Sequence, residues 1–118
     1  MNASAAPVPE TSVPGVVTFP PEVDLSNGEA LLREALRLLR TGTPGLVLDL
    51  RECTFCDSSG PNMIFRAQRR ADAAGVPMVV VLPWDGIVRR VCDIAGVTRR
   101  VPLAPDLDSA RAMLADLA

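Results

Sequence analysis

The chain has 118 residues, 48% of them hydrophobic and only 3% aromatic, with 12 basic and 14 acidic residues for a formal charge of −2. It contains no His, and every basic residue is Arg. These absences exclude, within this chain, a Ser-His-Asp or Cys-His triad, a Schiff-base lysine, a Walker lysine and any histidine-containing zinc site. The acidic balance and the scarcity of aromatic stacking platforms also argue against direct nucleic-acid binding.

A length of 118 residues supports one domain around an aliphatic core. Residues 1–14 read as a flexible lead-in, with a short strand around Ala5–Val8, ahead of a domain over residues 15–118. This lead-in lacks the basic start and apolar stretch of a signal peptide. No apolar run approaches the roughly 20 residues that span a bilayer, so the expected location is cytoplasmic, without a membrane partner.

Val16-Val17-Thr18-Phe19 is β-prone and reads as a first strand, stopped by Pro20-Pro21. Glu22-Val23-Asp24-Leu25 leads to a helix with Ser26 or Asn27 as N-cap and Glu29 in its first turn. There Leu31, Leu32, Ala35, Leu36 and Leu39 recur at helical spacing. Thr41-Gly42-Thr43-Pro44-Gly45 ends the helix. Leu46-Val47-Leu48-Asp49-Leu50 reads as a central strand covered on both faces. After Asp57-Ser58-Ser59-Gly60, Pro61 suits the first turn of a second helix. Its buried stripe is Met63, Ile64, Ala67, Ala71 and Ala74, and Gly75 is its stop. Met78–Leu82 reads as another buried strand. Ile87, Val88, Val91, Cys92 and Ala95 should form a short third helix that ends at Gly96. Val101-Pro102-Leu103 reads as an edge strand, and Asp106 or Asp108 opens a last helix.

The alternation of strands and helices defines an α/β fold with a mostly parallel sheet of 4–5 strands and about four helices. In such sheets function collects beyond the carboxyl ends of strands. Asp57-Ser58-Ser59-Gly60 lies in that position, as does Asp85-Gly86. The four residues read in two ways. They can be turn and cap chemistry alone, with the Ser59 oxygen accepting a backbone N–H of the helix. Alternatively, Ser58 offers a hydroxyl at a helix mouth, where phosphate can be added.

Cys53-Thr54-Phe55-Cys56 is a CxxC sequence, but it precedes an aspartate, which raises a neighbouring thiol pKa rather than lowering it. A zinc site would need two further ligands, and Cys92 is the one cysteine left. The expectation is therefore structural cysteines, with no metal and no cofactor.

The combination of Leu46–Leu50, Phe55, Asp57-Ser58-Ser59-Gly60, the helix after it, Gly75 and Met78-Val79-Val80-Val81 resembles the anti-sigma factor antagonists of the STAS-domain family. Glu22-Val23-Asp24 is similar to the acidic pair before that family's first helix, and Val88–Val97 resembles its short third helix and following turn. The resemblance implies a protein that catalyses nothing. It implies binding to an anti-sigma factor that is also a serine kinase, phosphorylation of Ser58 by that kinase, and reversal by a serine phosphatase. It also implies partner-binding roles for Glu22, Asp24, Asp57, Ser58, Ser59 and Gly60. An alternative is a STAS module that does not switch, in a sensory assembly or a lipid-transporter complex. Two features depart from the family pattern: Pro61-Asn62 after the motif and Pro20-Pro21 before the acidic pair.

Overall fold

Apolar runs and glycine stops organise residues 13–118, which the structure (a computed structural model) describes. The elements are β1 (Gly15–Thr18), β2 (Glu22–Val23), α1 (Gly28–Arg40), β3 (Leu46–Asp49), β4 (Phe55–Cys56) and α2 (Ser59–Ala74). They continue as β5 (Met78–Val81), α3 (Ile87–Ala95), α4 (Val97–Arg100), β6 (Leu103–Ala104) and α5 (Leu107–Leu117). Strands β1-β3-β5-β6 form one sheet in that order, and every pairing in it is parallel. β2 and β4 form a separate two-stranded parallel ladder. The strand expected near Ala5–Val8 lies outside the described residues.

Alternating side chains of a strand face opposite sides of the sheet, which gives each run of apolar residues two tasks. Leu46, Leu48, Met78 and Val80 join Leu50 and Leu82 in the larger core, against Leu32, Ala35 and Leu38 of α1, Met63, Ile64, Ala67 and Ala71 of α2, and Val88 and Cys92 of α3. Val47, Val79 and Val81 face Ala104 and the α5 residues Ala110 and Leu114. The run Leu46–Leu50 is thus covered on both faces, as its nearly continuous hydrophobicity requires. Each such side chain removed from water contributes about 1.5–3 kcal/mol.

The structure departs from the sequence reading in several places. Glu22-Val23 is a strand because Phe55-Cys56 passes beside it, with Glu22 opposite Phe55 and Val23 opposite Cys56; pairing across 33 residues leaves no local pattern. Ala74 is exposed, because α2 outruns the neighbours that cover its earlier turns. The third helix forms as expected over Ile87–Ala95, where Val88 and Cys92 are buried, Val91 is half-buried, and Ile87 and Ala95 are exposed. Its apolar stripe is wider than the surface available to cover it. Gly96, at φ +89, adopts the left-handed conformation and divides α3 from the extra one-turn α4. The edge strand expected at Val101–Leu103 occupies Leu103–Ala104, beyond Pro102. Asp106 does cap α5, its carboxylate accepting from the Ser109 N–H at 2.7 Å.

Candidate functional site

β4 ends at Cys56 and α2 begins at Ser59, so Asp57 and Ser58 alone make the connection. The first backbone donors of a helix have no partner inside the helix. Here each is accounted for without a hydroxyl. The Ser59 N–H donates to Asp57 Oδ1 at 2.8 Å. The Gly60 N–H donates to the Asp57 carbonyl at 3.1 Å, and the Asn62 N–H to the Ser58 carbonyl at 3.0 Å. Pro61 has no N–H to satisfy. The expected capping role of Ser59 therefore passes to Asp57, whose side chain is one bond longer and reaches back over the turn.

Ser59 is buried and faces α1. A Cβ added at Gly28, the first residue of α1, would lie 3.5 Å from the Ser59 Cβ. Ser59 is thus a small-residue contact between the two helix starts. It also lines a cleft with Leu25, Glu29, Asn62, Met63 and Arg66, across which Arg66 and Glu29 form an ion pair. Gly60 is constrained by close approach: a Cβ there would meet the Cys56 sulfur at 3.0 Å and its Cβ at 3.1 Å. Ser58 is left over. Its side chain is exposed, and its hydroxyl makes no hydrogen bond among the described residues.

The ladder between β2 and β4 brings the two predicted acidic residues to the same place. The Asp57 N–H donates to the Val23 carbonyl at 3.2 Å, so Glu22 and Asp24 flank the residue that meets Asp57. Asp24 is committed to its own turn. The Ser26 hydroxyl and N–H both donate to its Oδ1, and these bonds, side chain first, hold its carboxyl below the ordinary 3.8. Asn27, expected as an α1 cap, instead accepts from the Asp24 N–H and donates to the Glu22 carbonyl, which braces this acidic turn.

The three cysteines are free and buried. Burial pushes the Cys56 thiol up to about 11, with Cys53 and Asp57 adding to it, and the Cys92 thiol up to about 12. Such thiols are poor nucleophiles at neutral pH. Among the described residues no group of three or more His, Cys, Asp or Glu side chains could hold a metal ion, and no helix is long and apolar enough to cross a membrane.

Two features escaped the sequence reading. Asp49, buried at the end of β3, accepts from Arg51 through its N–H and two guanidinium nitrogens at 3.0–3.1 Å, which pins the chain as it leaves the sheet. An aspartate inside an otherwise apolar strand, with an arginine two residues on, is the signal for it. The other is the solvent-facing apolar surface of α3, formed by Ile87 and Ile94.

A four-stranded parallel sheet with helices on both faces, and an exposed serine at the mouth of its second helix, make up a small α/β domain. Residues 5–110 match the family model of the STAS domain, and the chain belongs to that family. It is similar to an anti-sigma factor antagonist from Mycobacterium paratuberculosis, at 26% identity over 86% of this chain and 85% of that one, with a TM-score of 0.71. SpoIIAA, an anti-sigma factor antagonist, shares the fold in its unphosphorylated form at 14% identity over 87% of each chain, TM-score 0.64. The murine anion transporter Slc26a9 shares it at 17% identity and TM-score 0.70, over 92% of this chain but 18% of the transporter. No curated protein matches the sequence.

Proposed function

We propose that this protein is an anti-sigma factor antagonist that binds a serine-kinase anti-sigma factor in the cytoplasm, releases the sigma factor, and is switched off by phosphorylation of Ser58. The observation that carries this reading is the Ser58 hydroxyl: exposed, unbonded and unneeded by the helix it precedes, whose donors are already satisfied. Asp57, Ser59 and Gly60 adjoin it in the chain, Glu22 and Asp24 flank the residue that accepts from the Asp57 N–H, and together these residues form the partner-binding surface. Phosphate adds about −1.5 to −2 charges and three acceptor oxygens. The helix dipole would favour that charge, but the direct donors are spent on Asp57 and Ser58 carbonyls and the Asp57 carboxylate. The phosphate would therefore sit beside Asp57 and present its charge to the bound kinase. A loss of about 4 kcal/mol lowers affinity roughly 10³-fold. A serine phosphatase restores the binding form. Catalysis by the chain itself has no support, since the chain has no His or Lys to act as base for Ser58 and burial holds the Cys56 and Cys92 thiols neutral.

Incubation of the purified protein with the serine-kinase anti-sigma factors of its source organism and ATP tests this. Mass spectrometry should find a single phosphate on Ser58, absent from Ser58→Ala, and Ser58→Asp should lose kinase binding. An unmodified Ser58 together with undiminished binding of Ser58→Asp would refute the switch. A second reading, a non-switching STAS module in a sensory or transporter complex, draws support from the likeness to the Slc26a9 segment. It requires co-purification with that assembly and indifference to Ser58→Asp.

A further inference from the structure

α3 turns an apolar ridge to solvent. Ile87 is 60% exposed and Ile94 78% exposed, one on each side of half-buried Val91, and Trp84 just before the helix is 81% exposed. Arg90 lies in the same shallow groove as Ile87, Val91 and Ile94. Its neighbour Arg89 is engaged, stacked over Trp84 at 5.7 Å and bonded to Asp93 at 3.2 Å. Arg90 forms no ion pair among the described residues.

Exposed apolar residues gathered on one helix, with a free cation among them, mark an interaction surface. Its size decides what it can do. Nine residues of helix make a strip about 14 Å long and 10 Å wide, well short of the roughly 800 Å² per partner that a stable interface buries. The ridge therefore works as part of a larger contact, and its neighbours say which. α3 packs on β4 and α2, the two elements that hold Ser58. Ile87 shares a hollow with Cys53 and Thr54, followed in the chain by half-exposed Phe55 and then by Asp57-Ser58. Charge narrows the partner further. With Arg89 paired to Asp93, the cation in the groove with Ile87, Val91 and Ile94 is Arg90, which calls for a carboxylate on the partner. An anionic bilayer is disfavoured, because Asp85 and Asp93 flank the ridge.

Resting on the proposed switch, we infer that the Ile87–Val91–Ile94 ridge and Arg90 form a second docking surface for the same kinase, taking an amphipathic segment whose apolar residues meet the ridge and whose carboxylate pairs with Arg90. The Ser58 loop is the switched half of the contact and the ridge the unswitched half.

The test uses the full chain carrying Ile94→Asp or Arg90→Glu, both at exposed positions, with unchanged thermal unfolding as the folding control. Purified serine-kinase anti-sigma factors from the source organism are the probes. Each variant should bind at least about tenfold more weakly than wild type, and Ser58 should still be modified, but more slowly. Wild-type affinity in both variants for a kinase that does modify Ser58 overturns the ridge and leaves the switch standing. Loss of binding in the variants, to a kinase that never modifies Ser58, supports the ridge and overturns the switch. No binding of any kinase to wild type overturns both. Sedimentation of wild type, but not Ile94→Asp, with vesicles of phosphatidylcholine and phosphatidylglycerol overturns the ridge's assignment to a protein partner. A dimer in analytical ultracentrifugation that Ile94→Asp converts to monomer overturns it in favour of a second copy.

Discussion

Replacing Asp57 by Ala should destabilise the protein, whereas replacing Ser59 by Ala should not. Among the described residues Asp57 supplies the one side-chain bond to the start of α2, 2.8 Å from the Ser59 N–H, and no acidic residue lies in the first turn itself. Loss of a capping bond costs about 1 kcal/mol, in a range of roughly 0.5–2. Loss of the anion facing the positive end of the helix dipole adds about 0.3–1 kcal/mol. Unfolding entropy near 2.1 cal/mol/K per residue gives the whole chain about 250 cal/mol/K. A loss of about 1–2 kcal/mol then lowers Tm by about 4–8 °C. Ser59→Ala removes a hydroxyl that makes no hydrogen bond among the described residues and should stay within about 0.5 kcal/mol. Asp57→Asn separates the two contributions, because Asn caps as well as Asp but carries no charge. Urea unfolding and calorimetry at neutral pH measure all three. If Ser59→Ala proves as costly as Asp57→Ala, the hydroxyl caps the helix and the assignment of roles in the loop is wrong.

Gly60→Ala should cost about 1–3 kcal/mol through overpacking, since its Cβ would stand 3.0 Å from the Cys56 sulfur. Cys56→Ala in the same chain should return part of that loss, and additive costs in the double variant would show that the clash is not the cause. Native Cys56 and Cys92 should react slowly with a thiol reagent at neutral pH, because a thiol pushed up to about 11 is only about 10⁻⁴ ionised at pH 7; rapid labelling would contradict the burial. The same shifts set a pH limit. Folded pKa values raised above the ordinary 9.0 give stability that is complete below that value and lost as pH rises past it, so the urea midpoint should fall on the alkaline side.

The main sheet and its helices were legible because their signals are local. Leu46–Leu50 and Met78–Leu82 are strand-length apolar runs with helical periodicity between them, and Gly75 marks the end of α2 where its left-handed conformation is found. The ladder of Glu22-Val23 with Phe55-Cys56 was not legible, because two-residue strands have too few side chains to show a period and take their conformation from a partner distant in sequence. The limits of the buried stripes were not legible for a related reason. Ile87, Ile94 and Ala74 are spaced like core residues, and only the reach of the neighbouring elements leaves them in solvent.

The sequence by itself determined the α/β class, the parallel sheet and the position of Asp57-Ser58-Ser59-Gly60 between a buried strand and a helix, since periodicity, turn residues and short connections allow few other solutions. Only the tertiary structure decided how the motif divides its tasks. The distance from the Asp57 carboxylate to the Ser59 N–H made Asp57 the cap. The approach of Gly28 gave Ser59 a packing role, and the Cys56 sulfur required a glycine at position 60. A hydroxyl, a carboxylate and a missing side chain each have several uses in a chain, and the atoms brought against them by distant segments select among those uses. Ser58 is distinguished because its side chain is exposed and its hydroxyl makes no hydrogen bond among the described residues.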